Sequence, residues 1–486
     1  MSNNIGILCH ITSLESNFGI GDFGQSSKDF IDFLSKHNIK VWQILPLNET
    51  NIYNCPYSSN CFFSYDPMFL DVEQLVSLEL INKEEISGLY KLSKSNKIKF
   101  KQIKQEKRRL LHIAFNNLDQ KYLSNLQQYS LSNPHMLRYA TFKILLKYFN
   151  TNNWRDLNPC YRNVESPEYI SFVEGNYKSI LEELFIQYIL EQQWLSIRNY
   201  ATNQGITILG DIPIYPDPNS FDVFDCPEYY KLDQTTLNPL KYGGVPADDF
   251  CKDGQNWHTC IYHWDVIAKN NYHYMINKIQ LMLQRYDLLR LDHFMGYVNH
   301  YEISALDENV GNWVAEGGED FFEQLSQIID FKKLTVEDLG IVTQNATDII
   351  KKYNLKNMCV LQLSLTQDEN EKYLPENVPV NCIYYTGTHD NNTLVGYIQS
   401  LDKDKLQQFK KLLHINANKP KQIAVECIQQ VLSSKSNLKI FPIQDLLLQD
   451  EKSRMNIPGK TEGCWEYKLP KNYQKILERN LSLFNI

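Results

Sequence analysis

Three carboxylates carry the chemistry open to this sequence: Asp292 in LLRLDHF, Glu337 in KLTVEDLG and Asp390 in YYTGTHDNN. Each closes a short apolar run, and roughly fifty residues separate one from the next, room for one or two strand–helix units. Arg290 and Asp292 stand beside Leu289 and Leu291, and burying such charges costs free energy unless they are paired or used. Strand alternation puts Leu288, Arg290 and Asp292 on one face and Leu289 and Leu291 on the other. Arg290 is then expected to hold Asp292 ionised, since an opposite charge depresses a carboxylate pKa. An ionised, oriented carboxylate is a nucleophile, a metal ligand or half of a structural ion pair, and LLRLD alone leaves all three open.

Glu337, close to another carboxylate or partly buried, is expected to have a raised pKa and to give and take a proton near neutrality. Asp390 comes with His389 and with Thr386, Gly387 and Thr388, a small polar turn expected to admit a ligand close to backbone. Three carboxylates on separate strand ends suit glycosidic-bond chemistry, with one nucleophile, one acid/base and one group gripping sugar hydroxyls. A divalent metal held by the same carboxylates with His293 and His389 is the other chemistry, but no HExxH or EF-hand spacing supports it. His10 and His37 read as satisfied structural histidines without a function.

These residues need elements to position them. A helix-period segment running into a short apolar strand recurs along the chain. Tyr272, Ile276, Ile279, Leu283 and Tyr286 step by fours and threes into LLRLD. SSKDFIDFLSKHNIK leads likewise into VWQILPL, and LEELFIQYILEQQWLSIRNYATNQG into ITILGDIPIY; GILCH, KLTVEDLG, MCVLQLS and CIYYTGTHD are further strands. Strands alternating with helices predict a parallel α/β fold. Polar groups at the strand ends (Asp211, Asp292, Glu337, His389, Asp390) fit a barrel whose βα loops build the site. An open doubly wound sheet would also put its site there, but no GxGxxG or P-loop follows the first strand, so a barrel is favoured.

Residues from about 73 to 150 are Leu-, Lys- and Gln-rich without strand-like runs and read as a helical insertion in a single catalytic domain spanning 1–486, with smaller insertions in the βα loops. Inside it, KSNKIKFKQIKQEKRR is expected to be a solvated helix face rather than a nucleic-acid patch. A net charge of -8 argues against a nucleic-acid partner. Thirty Tyr and seven Trp suit ligands with apolar faces and hydroxyls, such as sugars. The 11 cysteines, an odd number without a CxxC, read as reduced, mostly buried thiols. No export signal and no run of about 18 apolar residues is present, so no membrane association is expected and the cytoplasm is the expected location.

In combination these segments resemble the 4-alpha-glucanotransferases called amylomaltase or disproportionating enzyme. The resemblance rests on GILCHITSL with FGIGDFG, WQILPL with CPYSS, GDIPIY, GGVPADDF with DGQNWH, RLDHF, EDLG, YTGTHDNNT and RMNIPG, in family order over nearly the whole chain outside the helical insertion. It implies a (β/α)8 TIM barrel with inserted helical subdomains. It also implies transfer of an alpha-1,4-glucan segment to the 4-hydroxyl of another glucose or glucan, with maltooligosaccharides and alpha-1,4-glucans as partners and no cofactor or metal.

Carried over by motif, Asp292 would be the nucleophile, Glu337 the acid/base, and Asp390 the grip on the sugar being cut, helped by His389. Arg290 would position Asp292, Tyr57 would be a stacking platform, Asp211, Gln255 and Trp257 would line the cleft, and His293 would contact substrate. Such a retaining double displacement predicts Asp292 and Glu337 carboxyls roughly 5 to 5.5 Å apart. A glucan hydrolase of the same fold and a non-catalytic glucan-binding protein are the alternative readings. The chain departs from the family pattern at Glu15 and Cys260, where Pro is usual, at Cys55 in place of Ser, at Asp249 in place of an aromatic, and at Cys464 in place of Asn. YNCPY is a residue shorter than the usual segment, and CWEYK lacks a Trp and an Arg. With the carboxylates intact, chemistry is expected to survive while affinity for long chains differs.

Overall fold

The computed structural model describes residues 4–247, 254–365 and 370–486. Eight short parallel strands form its centre: β1 Asn4–Leu8, β2 Val41–Gln43, β3 Thr207–Ile212, β4 Leu288–Leu291, β5 Leu334–Val336, β6 Asn357–Val360, β7 Cys382–Tyr385 and β8 Leu438–Pro442. They lie side by side in chain order, with β1 between β2 and β8. The ring closes where Val336 N–H donates to Lys356 O at 2.9 Å and Thr335 bridges to Lys356. This is a (β/α)8 barrel.

The strands are buried on both sides, so they read as apolar runs instead of alternating ones. Helix α1 (Gln25–Lys36) packs on them through Phe30, Ile31, Phe33 and Leu34. The helix predicted before LLRLD spans His273–Arg285, with Met275, Ile276, Ile279 and Met282 buried. Tyr286, beyond its end, fills the space left by Gly210, where an added Cβ would stand 2.1 Å from the ring. That close approach lets β3 sit flat beside the helix layer.

Two expectations are corrected. Seven of the eight strands were foreseen; the eighth, LKIFP, was not, because Lys439 interrupts its apolar run and Pro442 ends it. The basic run in the helical segment is not simply solvated. Helix α2 (Phe100–Asn116) buries Lys107 completely, its ammonium donating to Met68 O and Leu70 O at 2.6 and 2.8 Å. Lys104 pairs with Asp66 at 2.9 Å and Arg108 with Glu49 and Glu183. Helical periodicity marks which face is buried but says nothing of the carbonyl oxygens waiting there for a cation.

From Val72 to Gly175 the chain contains helices and turns and no strand. An antiparallel sheet (Lys241–Val245, Gln255–Cys260, Asn299–Ser304 and Gly311–Ala315) grows out of the loops after β3 and β4. Ten cysteines among the described residues are free thiols, seven of them buried; Cys251 lies outside those residues. No helix among them is long and apolar enough to cross a membrane.

Candidate active site

The C-terminal ends of the barrel strands open into a cleft of about 580 Å³. Asp292 follows β4 directly and Glu337 follows β5 directly, and backbone bonds continue the ladder past both strands: Glu337 N–H donates to Leu291 O at 3.1 Å and Phe294 N–H to Glu337 O at 2.9 Å. His389 and Asp390 come from the loop after β7. All four side chains line the cleft, together with Tyr57, Gln255, Trp257 and His293.

One guanidinium organises the centre. Arg290, 3% exposed, places Nη1 2.5 Å from Asp211 Oδ2 and 3.1 Å from Asp292 Oδ1, and Nη2 3.5 Å from Glu337 Oε2. His293 N–H donates to the same Glu337 oxygen at 2.7 Å, so Oε2 of Glu337 is engaged from two sides. To present that amide, His293 adopts φ +42°, a left-handed conformation that a non-glycine residue enters at a cost of order 1 kcal/mol.

Burial pushes the Glu337 carboxyl up to about 7, against the pull of Arg290 and the His293 amide, with Asp390 and Asp211 adding to the rise. Asp292 departs from the simple ion-pair expectation. Arg290 does contact it, but burial and the Glu337, Asp211 and Asp390 carboxyls outweigh that contact and push Asp292 well above the usual carboxylate range. A negative charge on Glu337 disfavours one on Asp292, so the cluster resists carrying both at once. The oxygen in direct contact with Arg290 makes Asp292 the better place for the negative charge and Glu337 the better place for the proton.

Asp211 and Arg290 are placed differently from a cleft lining. Asp211 lies within β3, where its register partner is Arg290, and its side chain is fully buried. It accepts from Tyr57 OH at 2.6 Å and from Arg290. Asp292 and Glu337 lie one residue past their strands and so reach the opening; Asp211 does not. It fixes Tyr57 and Arg290 from behind. Tyr57 in turn stacks on His389, ring centroids 5.0 Å apart and 5° from parallel, which leaves its other face for a ligand. Trp257 meets His293 edge to face at 4.8 Å and donates to Gln255 Oε1 at 3.2 Å.

The turn Thr386–Thr388 is closed by its own neighbours. Thr386 donates to Asp445, Thr388 to Asn391, and Gly387 makes room for Gln362, whose amide nitrogen would stand 2.5 Å from an added Cβ. A ligand is therefore not admitted there. Missed in the sequence were Asn456, which donates to Asp390 Oδ1 at 2.7 Å, and Arg454, which donates to the Asp390 carbonyl at 3.0 Å. Both sit in RMNIPG, so the motif held the signal while the partner, 66 residues away, did not show.

Among the departures, Cys55 lines the cleft. Cys260 uses a backbone N–H that proline lacks, donating to Pro216 O at 3.0 Å. The Cys464 thiol reaches Lys460 O at 3.5 Å and so ties down the loop whose Pro458–Thr461 forms one wall. Asp249 lies outside the described residues. Among the described residues one trio, His300, Glu302 and Glu316, is spaced for a metal, but the Lys231 ammonium pairs with both carboxylates.

A family profile described as 4-alpha-glucanotransferase matches residues 9–474. The 4-alpha-glucanotransferase of Aquifex aeolicus is 32% identical over 97% of this chain and 96% of its own, and that of Clostridium butyricum 30% identical over 95% and 96%. The structure superposes on an amylomaltase from Streptococcus agalactiae in complex with acarbose with TM-score 0.91 and 27% identity, covering 100% of this chain and 99% of that one.

Proposed function

The chain belongs to the 4-alpha-glucanotransferase family, and from that premise we propose how its cleft divides the work of moving an alpha-1,4-glucan segment onto the 4-hydroxyl of an acceptor sugar. Asp292 Oδ2 attacks the anomeric carbon of the donor while Glu337 Oε1 gives its proton to the departing glycosidic oxygen. A covalent glucosyl-enzyme results, the cut-off glucan leaves, and Glu337, now ionised, takes the proton of an incoming 4-hydroxyl as that oxygen displaces Asp292. The anomeric centre inverts twice, so its configuration is retained.

The observation that carries this reading is the single guanidinium shared by Asp292 and Glu337 at 3.1 and 3.5 Å. It holds an anionic carboxylate and a proton-bearing carboxyl side by side, both at the ends of adjacent strands. Asp390, clamped by Asn456 and lying 3.3 Å from His389 Nε2, accepts hydroxyls of the sugar being cut. Tyr57 offers that sugar its free ring face, and Gln255, Trp257 and His293 contact it from the opposite wall. Arg290 and Asp211 act from behind as positioning residues. Substrates are maltooligosaccharides and alpha-1,4-glucans, and the free, mostly buried thiols support a reducing compartment, the cytoplasm.

Incubation of the purified protein with maltotriose and a chelator tests the proposal. A ladder of longer maltooligosaccharides with released glucose is expected. Glucose and maltose without longer products would make water the acceptor and the enzyme a hydrolase; an unchanged substrate would refute the reading.

A further inference from the structure

His10 follows β1 in the barrel interior and is 3% exposed, yet neither Nδ1 nor Nε2 has a hydrogen-bond partner in the protein. Its ring stands edge-on to Phe69 at 5.6 Å. A buried imidazole with unmet hydrogen bonds is costly, and native proteins meet such groups with ordered water where space allows. Space is present: a second cavity, of about 20 Å³, has His10, Ser13, Gln444 and His389 among its lining residues. One water needs ~10–15 Å³ and two to four polar partners. The cavity meets both conditions, and it touches the one cleft histidine that contacts Asp390.

We propose that His10 is a positioning residue for Asp390, acting through a single buried water that links its ring to the back of His389. The His10 N–H donates to the water, the water donates to Nδ1 of His389, and the Nε2–H of His389 is thereby kept on the side of Asp390 Oδ2, 3.3 Å away. The chain selects one neutral tautomer of His389 and holds its ring parallel to Tyr57. Without it, His389 is free to carry its proton on Nδ1, which turns a lone pair toward the Asp390 carboxylate and repels it. The inference rests on the reading of Asp390 as the sugar-gripping group.

Two readouts test it. In the wild-type protein labelled with 15N-histidine, His389, identified by loss of its signal in His389→Gln, is expected as the neutral Nε2–H tautomer. In His10→Phe, which keeps a ring but no donor, a mixture of tautomers and a roughly tenfold fall in kcat/KM on maltotriose are expected. His10→Gln restores an N–H and should recover activity to within about threefold. An Nδ1–H tautomer in the wild type would overturn the proposal. So would a His10→Phe protein with unchanged kcat/KM, or equal loss of thermal stability and activity in both variants, which is the mark of a packing role. Should His10→Phe fail to fold, the wild-type tautomer and His10→Gln still decide. A wild type that transfers no glucan would sink the reading of the cleft and leave the tautomer measurement standing.

Discussion

Asp211→Asn keeps the shape of the barrel centre and removes one charge. Asp211 Oδ2 is 2.5 Å from Nη1 of Arg290, and Glu337 Oε2 is 3.5 Å from Nη2, so the two carboxyls lie on opposite sides of one guanidinium. Taking them as ~6 Å apart with an effective dielectric of ~20, their repulsion is worth about 2.8 kcal/mol, close to two tenfold steps in an ionisation constant. Glu337 faces an open cleft, and solvent roughly halves that figure. Asp211 also repels Asp292. Removing the charge therefore favours the ionised form of both carboxyls, and both titrations move to lower pH; the Arg290 charge, no longer drawn to Asp211, pulls the same way. In the wild type the basic limb of kcat/KM reports loss of the Glu337 proton near pH 7. The expected result for Asp211→Asn is a bell displaced downward on both limbs by about one pH unit. The assay is kcat/KM for glucose release from maltotriose across pH 4 to about 9, with a denaturant midpoint to establish that the variant is folded. A stationary bell, or one displaced upward, would refute the coupling through Arg290.

Asp292→Asn should lower turnover by about four orders of magnitude or more while leaving the thermal midpoint and sugar binding largely intact; a near-normal rate would remove Asp292 from the mechanism. With Glu337→Gln, a donor whose leaving group needs no protonation should still glucosylate Asp292, so intact-protein mass spectrometry should find an accumulating glucosyl adduct, and its absence would count against the double displacement. Asn456→Ala deletes the 2.7 Å bond to Asp390 and is expected to cost about 1–2 kcal/mol of transition-state binding, a roughly tenfold lower kcat/KM with little change in stability. Unaltered kinetics there would mean that Asp390 needs no clamp.

The barrel and its carboxylates were readable in the sequence because each rests on a local contrast. A charge at the end of an apolar run is visible in half a dozen letters, as at Leu291–Asp292 and Val336–Glu337. What escaped depends on partners distant in the chain. Asn456 looks like any loop asparagine until β8 carries it to Asp390. Asp211 and Asp292 both follow apolar runs, and only the register, which sets Asp292 two residues beyond the level of Asp211, buries one behind Arg290 and brings the other to the cleft. Lys107 has the same helical periodicity as its exposed neighbours. The direction of the Asp292 pKa shift was misjudged for a related reason: a sequence neighbour, Arg290, was counted, and three carboxyls from other strands were not.

β1 lies between β2 and β8, and the residues that hold Asp390 come after β8. During synthesis the barrel is thus an open-edged sheet until its final quarter has left the ribosome, with the edge of β1 waiting unpaired for a strand made more than four hundred residues later. The three carboxylates exist well before that, but Asp390 lacks its clamp and His389 its fixed surroundings. The same dependence makes the unpaired edge of β1 the surface most in need of shielding while translation runs, since a waiting strand edge invites pairing with another chain.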